Sequence, residues 1–235
     1  MRQIIGTIIR EQYQIYHPFR MLISGSSGTG KTTFCEKLLQ SNISEKFNQI
    51  YYIYPDEFEK PPGIIKYCST KYINANLVDW DRLFPEITIE YIPGVPGASF
   101  FHTVREDSLI ILDDLWTECC KSSDIVKAFK VFSRKMRFSL ITISQSYFGG
   151  SDGGREIRNN VDVVVLFENH GDADLNTRIM RKLGYINAYR QAVSTLKSIP
   201  HSYLVVNCSA KISHAYLRVA SNLFSESHQY IEFYV

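Results

Sequence analysis

Residues 25–32 constrain the fold more than any other part of the sequence. They read Gly-Ser-Ser-Gly-Thr-Gly-Lys-Thr, which is the complete G-x-x-x-x-G-K-[ST] pattern of a phosphate-binding loop. An apolar run at 19–23 precedes the pattern, and residues 33–39 follow it with apolar side chains at helical intervals. Glycines let such a loop turn tightly and aim its backbone N–H groups at phosphate oxygens, and the next helix adds its positive amino end. The pattern therefore predicts a strand, a loop and a helix that bind a nucleoside triphosphate.

Individual residues of this loop have predicted roles. Lys31 is expected to reach the β- and γ-phosphates, and the Thr32 hydroxyl is expected to bind Mg²⁺. The residues expected to contact the nucleotide are Gly25, Ser26, Ser27, Gly28, Thr29, Gly30, Lys31, Thr32 and Thr33. The loop thus implies ATP and Mg²⁺ as cofactors.

Length and composition predict one α/β domain. The chain has 235 residues, 45% of them hydrophobic and 21% charged, and its net charge is only +2. Two full domains would leave both of them small, so we expect residues 1–235 to form a single P-loop ATPase domain with a core at 18–210. Five cysteines without framework spacing indicate a reducing compartment, and the sequence contains no apolar run near the roughly 18 residues of a membrane span.

Apolar β-branched runs alternate with helical patterns along the chain, which indicates a mostly parallel sheet covered by helices. The predicted strands are 20–24, 50–54, 109–112, 140–143, 161–167 and 203–206. The predicted helices are 31–40, 124–132, 173–183 and 187–196, the third ending at Gly184. Residues 60–100 are interpreted as a variable insertion with a short helix at 80–84 and a strand at 88–92, and the glycine-rich segment 149–154 as a mobile loop.

An acid pair follows the apolar run at 109–112. A P-loop enzyme needs a carboxylate at the end of a second strand to hold Mg²⁺, and often another acid to polarise the attacking water. Asp113 and Asp114 stand at the carboxyl end of that strand, where ligands of open α/β folds bind. We assign Asp113 to Mg²⁺ and Asp114 to water activation. The simpler alternative is that both acids only cap the next segment.

Gln145 ends the next predicted strand at the same edge of the sheet. An amide at this position can hydrogen-bond to a phosphate and to a water at once without adding charge. Gln145 is therefore predicted to contact the γ-phosphate or to orient the water. The alternative is that Gln145 is only a solvent-exposed residue at the end of the strand.

These motifs in this order make the chain resemble a known family. The phosphate-binding loop, the acid pair with Leu115, the segment 144–147 and the segment 157–159 together resemble viral genome-packaging ATPases of the FtsK/HerA superfamily. The similarity is greatest to the poxvirus-type branch of large DNA viruses, virophages and related elements. It covers residues 20–167. The second acid is Asp114 where many superfamily members have glutamate, although the poxvirus-type branch tolerates aspartate.

The resemblance implies an α/β fold with a RecA-like, mostly parallel sheet between helices. It also implies ATP hydrolysis at the subunit interfaces of a homo-oligomeric ring, a pentamer or hexamer, that translocates double-stranded DNA into a preformed capsid. An arginine is then expected to reach the γ-phosphate of the neighbouring subunit. Arg134 is the first candidate, with Arg137 and Arg158 as alternatives. Capsid vertex proteins are the further partners, no membrane is involved, and the host cytoplasm and the virion are the expected locations.

The sequence also contains a candidate DNA-contacting surface. A basic stretch surrounds the predicted helix after the acid pair, and a ring would repeat it around a pore. Its members are Lys127, Lys130, Arg134, Lys135 and Arg137. A solvated helix face explains the same charges.

Two other classes of protein remain open from the sequence. A small-molecule P-loop kinase would need an arginine-bearing lid and an acceptor pocket, and Gln145 after the acid pair favours the motor over it. A non-hydrolysing virion scaffold would keep the phosphate-binding loop and need no arginine in trans. The six histidines have no metal-ligand spacing.

Overall fold

The computed structural model describes residues 7–9, 15–41, 47–56, 83–149, 152–169, 172, 174–196, 199–209, 218–224 and 230–233. Within them, ten strands form one sheet. The strands are β1 (Thr7–Ile9), β2 (Arg20–Ser24), β3 (Gln49–Tyr54), β4 (Thr88–Pro93), β5 (Ser108–Asp113), β6 (Ser139–Ser144), β7 (Val163–Phe167), β8 (Tyr203–Asn207), β9 (Val219–Ser221) and β10 (Tyr230–Glu232).

Helices connect and cover the strands. They are α1 (Lys31–Gln40), α2 (Ala98–Thr103), α3 (Trp116–Lys121), α4 (Ser123–Lys127), a π-helix (Ala128–Phe132), α5 (Ser133–Lys135), α6 (Asp152–Asn159), α7 (Leu175–Leu183) and α8 (Ile186–Leu196). None of the described helices is long and apolar enough to cross a membrane.

The strand order is β1-β10-β9-β8-β7-β2-β6-β5-β3-β4. The six strands from β7 to β4 are parallel, and β8, β9, β10 and β1 continue the sheet antiparallel. Strand β2 lies between β6 and β7, with Ser24 opposite Ser144 and Leu166. Because β2, β6 and β5 are parallel, their carboxyl ends share one edge of the sheet.

Each face of the sheet has its own apolar core. Phe34, Cys35 and Leu38 of α1 pack on one face against alternate strand residues such as Ile23 and Ile141. The other helices pack on the opposite face, where the buried residues include Trp116, Ile125, Phe129, Ile157 and Ile179. Both faces are covered, which explains why the central strands are apolar at nearly every position.

The predicted fold class, a mostly parallel α/β sheet between helices, is confirmed. The strand at 20–24 and the helix at 31–40 have the predicted bounds, and Gly184 ends α7 in the left-handed conformation, at φ 86°. Strand β4 confirms the strand predicted at 88–92, and it joins the main sheet rather than a separate insertion. Residues 57–82, which include most of the predicted helix at 80–84, lie outside the described residues.

The predicted helix at 124–132 is confirmed, with α4 ending at Lys127 and a π-helix continuing from Ala128. The Ser133 N–H bonds there to the Ala128 carbonyl and leaves the Phe129 carbonyl to accept the Arg20 guanidinium at 2.7 Å. One local prediction is wrong. The predicted mobile loop at 149–154 instead contributes residues 152–154 to α6. Glycine is needed there because a Cβ on Gly153 would lie 2.1 Å from the Cys120 carbonyl oxygen.

Candidate nucleotide-binding site

The phosphate-binding loop is held at both sides by the strands that flank β2. The Gly25 N–H donates to the Ser144 carbonyl and the Ser26 N–H to the Glu168 carbonyl, each at 3.2 Å. A Cβ on Gly25 would lie 2.5 Å from the Phe167 Cβ, so only glycine fits at the start of the loop. The loop is therefore fixed to the ends of β6 and β7.

The loop opens directly into α1. Gly30 has φ 102°, which a residue with a side chain rarely adopts, and the Phe34 N–H donates to the Gly30 carbonyl at 2.9 Å to begin the helix. Among the described residues, no side chain caps the amino end of α1. Its first backbone N–H groups therefore face the cleft, where an anion is favoured.

Lys31 bends back over the loop. Its ammonium group donates to the carbonyl oxygens of Gly25 and Ser26, both at 2.7 Å. Burial lowers the pKa of Lys31, although the nearby carboxylates of Asp114 and Asp113 favour its charged form. Those two hydrogen bonds keep the charge at the position where phosphate oxygens would lie.

Asp113 ends β5 as a half-buried carboxylate. The Tyr52 hydroxyl on β3 donates to Asp113 Oδ2. Burial raises the pKa of Asp113, the Tyr52 hydrogen bond lowers it, and the Asp114 charge raises it further. Tyr52 therefore orients the acid and favours its ionised form. The adjacency of β3 and β5 was not visible in the sequence, and so this contact was not predicted.

Asp114 and Gln145 meet across the cleft. Asp114 has φ 55°, its N–H donates to the Ile143 carbonyl at 3.1 Å, and its carboxylate accepts from the Gln145 amide at 3.1 Å. Both side chains are exposed to solvent. The sequence predicted that the strand ends would bring these residues to one edge, and the structure does so.

A cleft of about 610 Å³ joins these groups. It is lined by residues of the phosphate-binding loop, by Asp113, Asp114 and Gln145, and at its other end by a wall that was not predicted from the sequence. That wall contains Phe167, His201, Tyr203 and Phe224. The volume lies within the range of ordinary small-molecule sites. The arrangement can hold a triphosphate between backbone donors, a lysine and two carboxylates.

The three arginine candidates lie elsewhere. Arg134 and Arg137 precede β6, so they are at the opposite edge of the sheet from the cleft, with side chains 64% and 59% exposed. Arg158 donates to the carbonyls of Tyr147 and Gly149 at 3.0 and 3.1 Å and lies over the Trp116 ring. These contacts give Arg158 a structural role within its own chain.

The predicted basic stretch is largely paired with acids. Four of its five residues lie within 4 Å of a carboxylate. The pairs are Lys127–Asp124, Lys130–Glu156, Arg134–Asp162 and Arg137–Asp107. This pairing weakens the local positive field that a DNA-phosphate contact would use.

Two solved structures share this fold over nearly the whole chain. The DNA-packaging ATPase B204 of Sulfolobus turreted icosahedral virus matches with a TM-score of 0.52 at 13% identity, covering 93% of this chain and 99% of that chain. The genome packaging NTPase B204 of Sulfolobus turreted icosahedral virus 2, in complex with ATP-gammaS, matches with a TM-score of 0.51 at 11% identity, covering 92% and 98%. No curated protein sequence matches the chain significantly.

The family comparison gives a direct assignment. The model described as Poxvirus A32 protein matches residues 9–156, which include the phosphate-binding loop, the acid pair and Gln145. This match spans more than half of the chain and agrees with the resemblance seen in the motifs. The chain belongs to the Poxvirus A32 protein family.

Proposed function

We propose that this protein is an ATP-hydrolysing motor that moves viral double-stranded DNA into a preformed capsid. The observation that carries the proposal is the cleft in which Lys31, Asp113, Asp114 and Gln145 meet beside the phosphate-binding loop. Membership of the Poxvirus A32 protein family supports the packaging role, and the B204 packaging enzymes of two archaeal viruses have the same fold. The family also favours the motor over the small-molecule kinase.

The phosphate-binding loop holds the triphosphate. Backbone N–H groups of residues 25–33 surround the phosphate oxygens, and Lys31 neutralises the β- and γ-phosphates. The lysine already lies in the loop through its bonds to two carbonyls, so it changes acceptors rather than travelling into the site. Little reorganisation is needed when ATP binds.

The donors beside Lys31 fit Mg²⁺. Thr32 offers a hydroxyl and Asp113 a carboxylate in the same cleft, and hard oxygen donors of this kind suit Mg²⁺. Mg²⁺ usually keeps several waters and is held by one or two protein groups together with substrate phosphates. The bound ion would neutralise charge on the β- and γ-phosphates.

Asp114 and Gln145 act on the attacking water. The water oxygen bonds to the γ-phosphorus, the bond to the ADP oxygen breaks, and Asp114 accepts the proton. Gln145 already donates to Asp114 at 3.1 Å, so its amide is positioned to orient the water between the carboxylate and the γ-phosphate. Water activation thus depends on a pair of side chains from β5 and β6.

An arginine from a neighbouring subunit completes the site. Arg134 is 64% exposed at the edge of the sheet away from its own cleft, where a side chain can act in trans. Its partner Asp162 is 3.8 Å away, and this long ion pair holds the guanidinium only weakly. Arg137 is the remaining alternative, since Arg158 is engaged by carbonyls of its own chain.

The remaining parts of the proposal concern assembly. Residues 1–235 act as one P-loop ATPase domain, and several copies form a ring, a pentamer or hexamer, around the DNA. The ring docks on capsid vertex proteins in the host cytoplasm, and the virion can retain it. Membership of the Poxvirus A32 protein family supports a DNA substrate and an oligomeric assembly.

The test is ATP hydrolysis by the purified protein with and without long double-stranded DNA. Lys31→Ala is the inactive blank, and Lys121→Ala is the matched control because this exposed lysine does not line the cleft. Hydrolysis that DNA stimulates in the wild type and the control, and that the blank lacks, supports the motor. Turnover that requires a nucleoside or nucleotide acceptor and ignores DNA would establish the kinase. Nucleotide binding without any turnover would indicate the scaffold.

A further inference from the structure

The cleft has a second end that the phosphate chemistry does not use. Strands β6 and β5 lie on one side of β2 and carry Gln145, Asp113 and Asp114, whereas β7 and β8 lie on the other side. An aromatic wall stands on the β7–β8 side of the same cleft. The γ-phosphate belongs at the acidic end, so the nucleoside of a bound triphosphate lies toward the aromatic wall.

His201 is the exposed member of that wall. It has φ 54° in the turn before β8, in the left-handed region that histidine occupies more readily than most residues. Its Cβ is 3.8 Å from the position where a Cβ on Gly30 would stand. The turn therefore lies directly against the phosphate-binding loop, with the imidazole in the cleft rather than in the core.

Phe224 forms the other part of the wall. Its ring is half-buried and packs edge-on against Phe34, with ring centroids 5.0 Å apart at 66°. Tyr203 fixes this turn, because its hydroxyl oxygen accepts from the Leu223 N–H at 2.9 Å. The Phe224 ring is thus supported from behind while it still lines the cleft.

We propose that His201 and Phe224 form the platform that binds the nucleobase of the triphosphate. This inference rests on the proposed function, because it assumes that the phosphates occupy the loop beside Lys31. Flat aromatic side chains bind a base by stacking on its face, and an imidazole and a phenyl group both offer such a surface. Phe34 and Phe167, which are each only 2% exposed, serve as the support of the platform rather than as its surface.

The experiment compares ATP with inorganic tripolyphosphate, which has the phosphates and lacks the base. Binding of each ligand to the full chain is measured by calorimetry in the presence of Mg²⁺. His201→Ala and Phe224→Leu should each weaken ATP binding about 5–150-fold, the range expected when stacking of one base is lost. Binding of tripolyphosphate should stay within about twofold of the wild type. Tyr16→Ala, which removes an aromatic residue 53% exposed at the opposite edge of the sheet, should change neither ligand.

Each contrary result has a distinct meaning. Equal losses for ATP and tripolyphosphate would overturn the platform and show that these residues shape the phosphate-binding loop. Unchanged ATP binding in both variants would also overturn it, provided that thermal unfolding shows both to be folded. Lys31→Ala should lose both ligands, and if it retains both, the proposed function fails independently of the platform.

Discussion

Replacing Asp162 with alanine breaks the ion pair that Asp162 forms with the buried Arg20 at the amino end of β2. Arg20, the first residue of β2, is only 2% exposed. The Asp162 carboxylate accepts from its Nε at 2.8 Å, from a terminal nitrogen at 2.8 Å and from its backbone N–H at 3.0 Å. The remaining terminal nitrogen donates to the Phe129 carbonyl at 2.7 Å. Asp162→Ala leaves the guanidinium buried with that one carbonyl as its partner.

The expected loss in the free energy of unfolding follows from this geometry. Removing one partner of a buried pair destabilises a protein by about 3–5 kcal/mol because the other charge stays buried and unpaired. For a chain of this length about 1 kcal/mol lowers the unfolding midpoint by about 2 °C, so a fall of about 6–10 °C is expected. The loss of three hydrogen bonds to the carboxylate gives the same order, since bonds to charged groups contribute about 1.5–3 kcal/mol each and are not additive.

The assay is urea unfolding of the wild type, Asp162→Ala, Arg20→Met and the double variant. The double variant should recover part of the loss, because methionine removes the unpaired charge and keeps apolar volume. A single Asp162→Ala variant that loses less than about 1 kcal/mol would refute the reasoning, since it would mean that water reaches the guanidinium. A double variant as unstable as the sum of the singles would do the same.

Three further predictions concern the site. Tyr52→Phe removes the hydroxyl that favours the ionised form of Asp113, so the pKa of Asp113 rises. In a pH profile of the ATP hydrolysis rate, the fall at acidic pH should therefore begin at a higher pH, and the rate at high pH should stay the same. Gly25→Ala should destabilise the fold by about 1–3 kcal/mol and abolish ATP binding, because the new Cβ overlaps β7, as unfolding and binding titrations would show. Arg134→Ala should leave stability within about 0.5 kcal/mol, and mixing it with Lys31→Ala should restore hydrolysis, because each supplies what the other lacks in trans.

Matched variants separate these effects from general damage. Tyr51→Phe changes the neighbouring tyrosine, which packs on the opposite face of the sheet, and should not move the pH profile. Gly97→Ala should be tolerated, since the nearest atom to its Cβ is the Asp124 carboxylate at 4.0 Å. Arg105→Ala removes another exposed arginine and should keep full hydrolysis. An Arg134→Ala protein with undiminished turnover in the assembled state would remove Arg134 as the trans arginine.

The sequence predicted the parts of the fold that depend on local pattern. Residues 31–40 were predicted as a helix and form one, because the motif fixes both the loop and the start of α1. The carboxyl ends of β5 and β6 were predicted to share an edge, and Asp114 and Gln145 do lie within 3.1 Å. Strong local signals of this kind need no knowledge of distant contacts.

The missed features all depend on contacts between distant segments. Tyr52 belongs to no motif, and it reaches Asp113 because β3 lies beside β5. Gly153 looked like part of a loop, although tight packing of α6 on α3 makes glycine necessary inside the helix. His201 and Phe224 follow no motif, and only the antiparallel extension of the sheet brings them to the loop.

The position of β2 in the sheet has a consequence for synthesis of the protein. Both strands that flank β2, at 139–144 and 163–167, emerge from the ribosome long after the phosphate-binding loop itself. A nascent chain that ends before β7 lacks the Glu168 carbonyl that holds the loop, and it exposes an apolar strand with one missing neighbour. A nascent chain therefore cannot be stabilised by ATP early in translation. Fragments from messages truncated before β7 should aggregate rather than bind nucleotide.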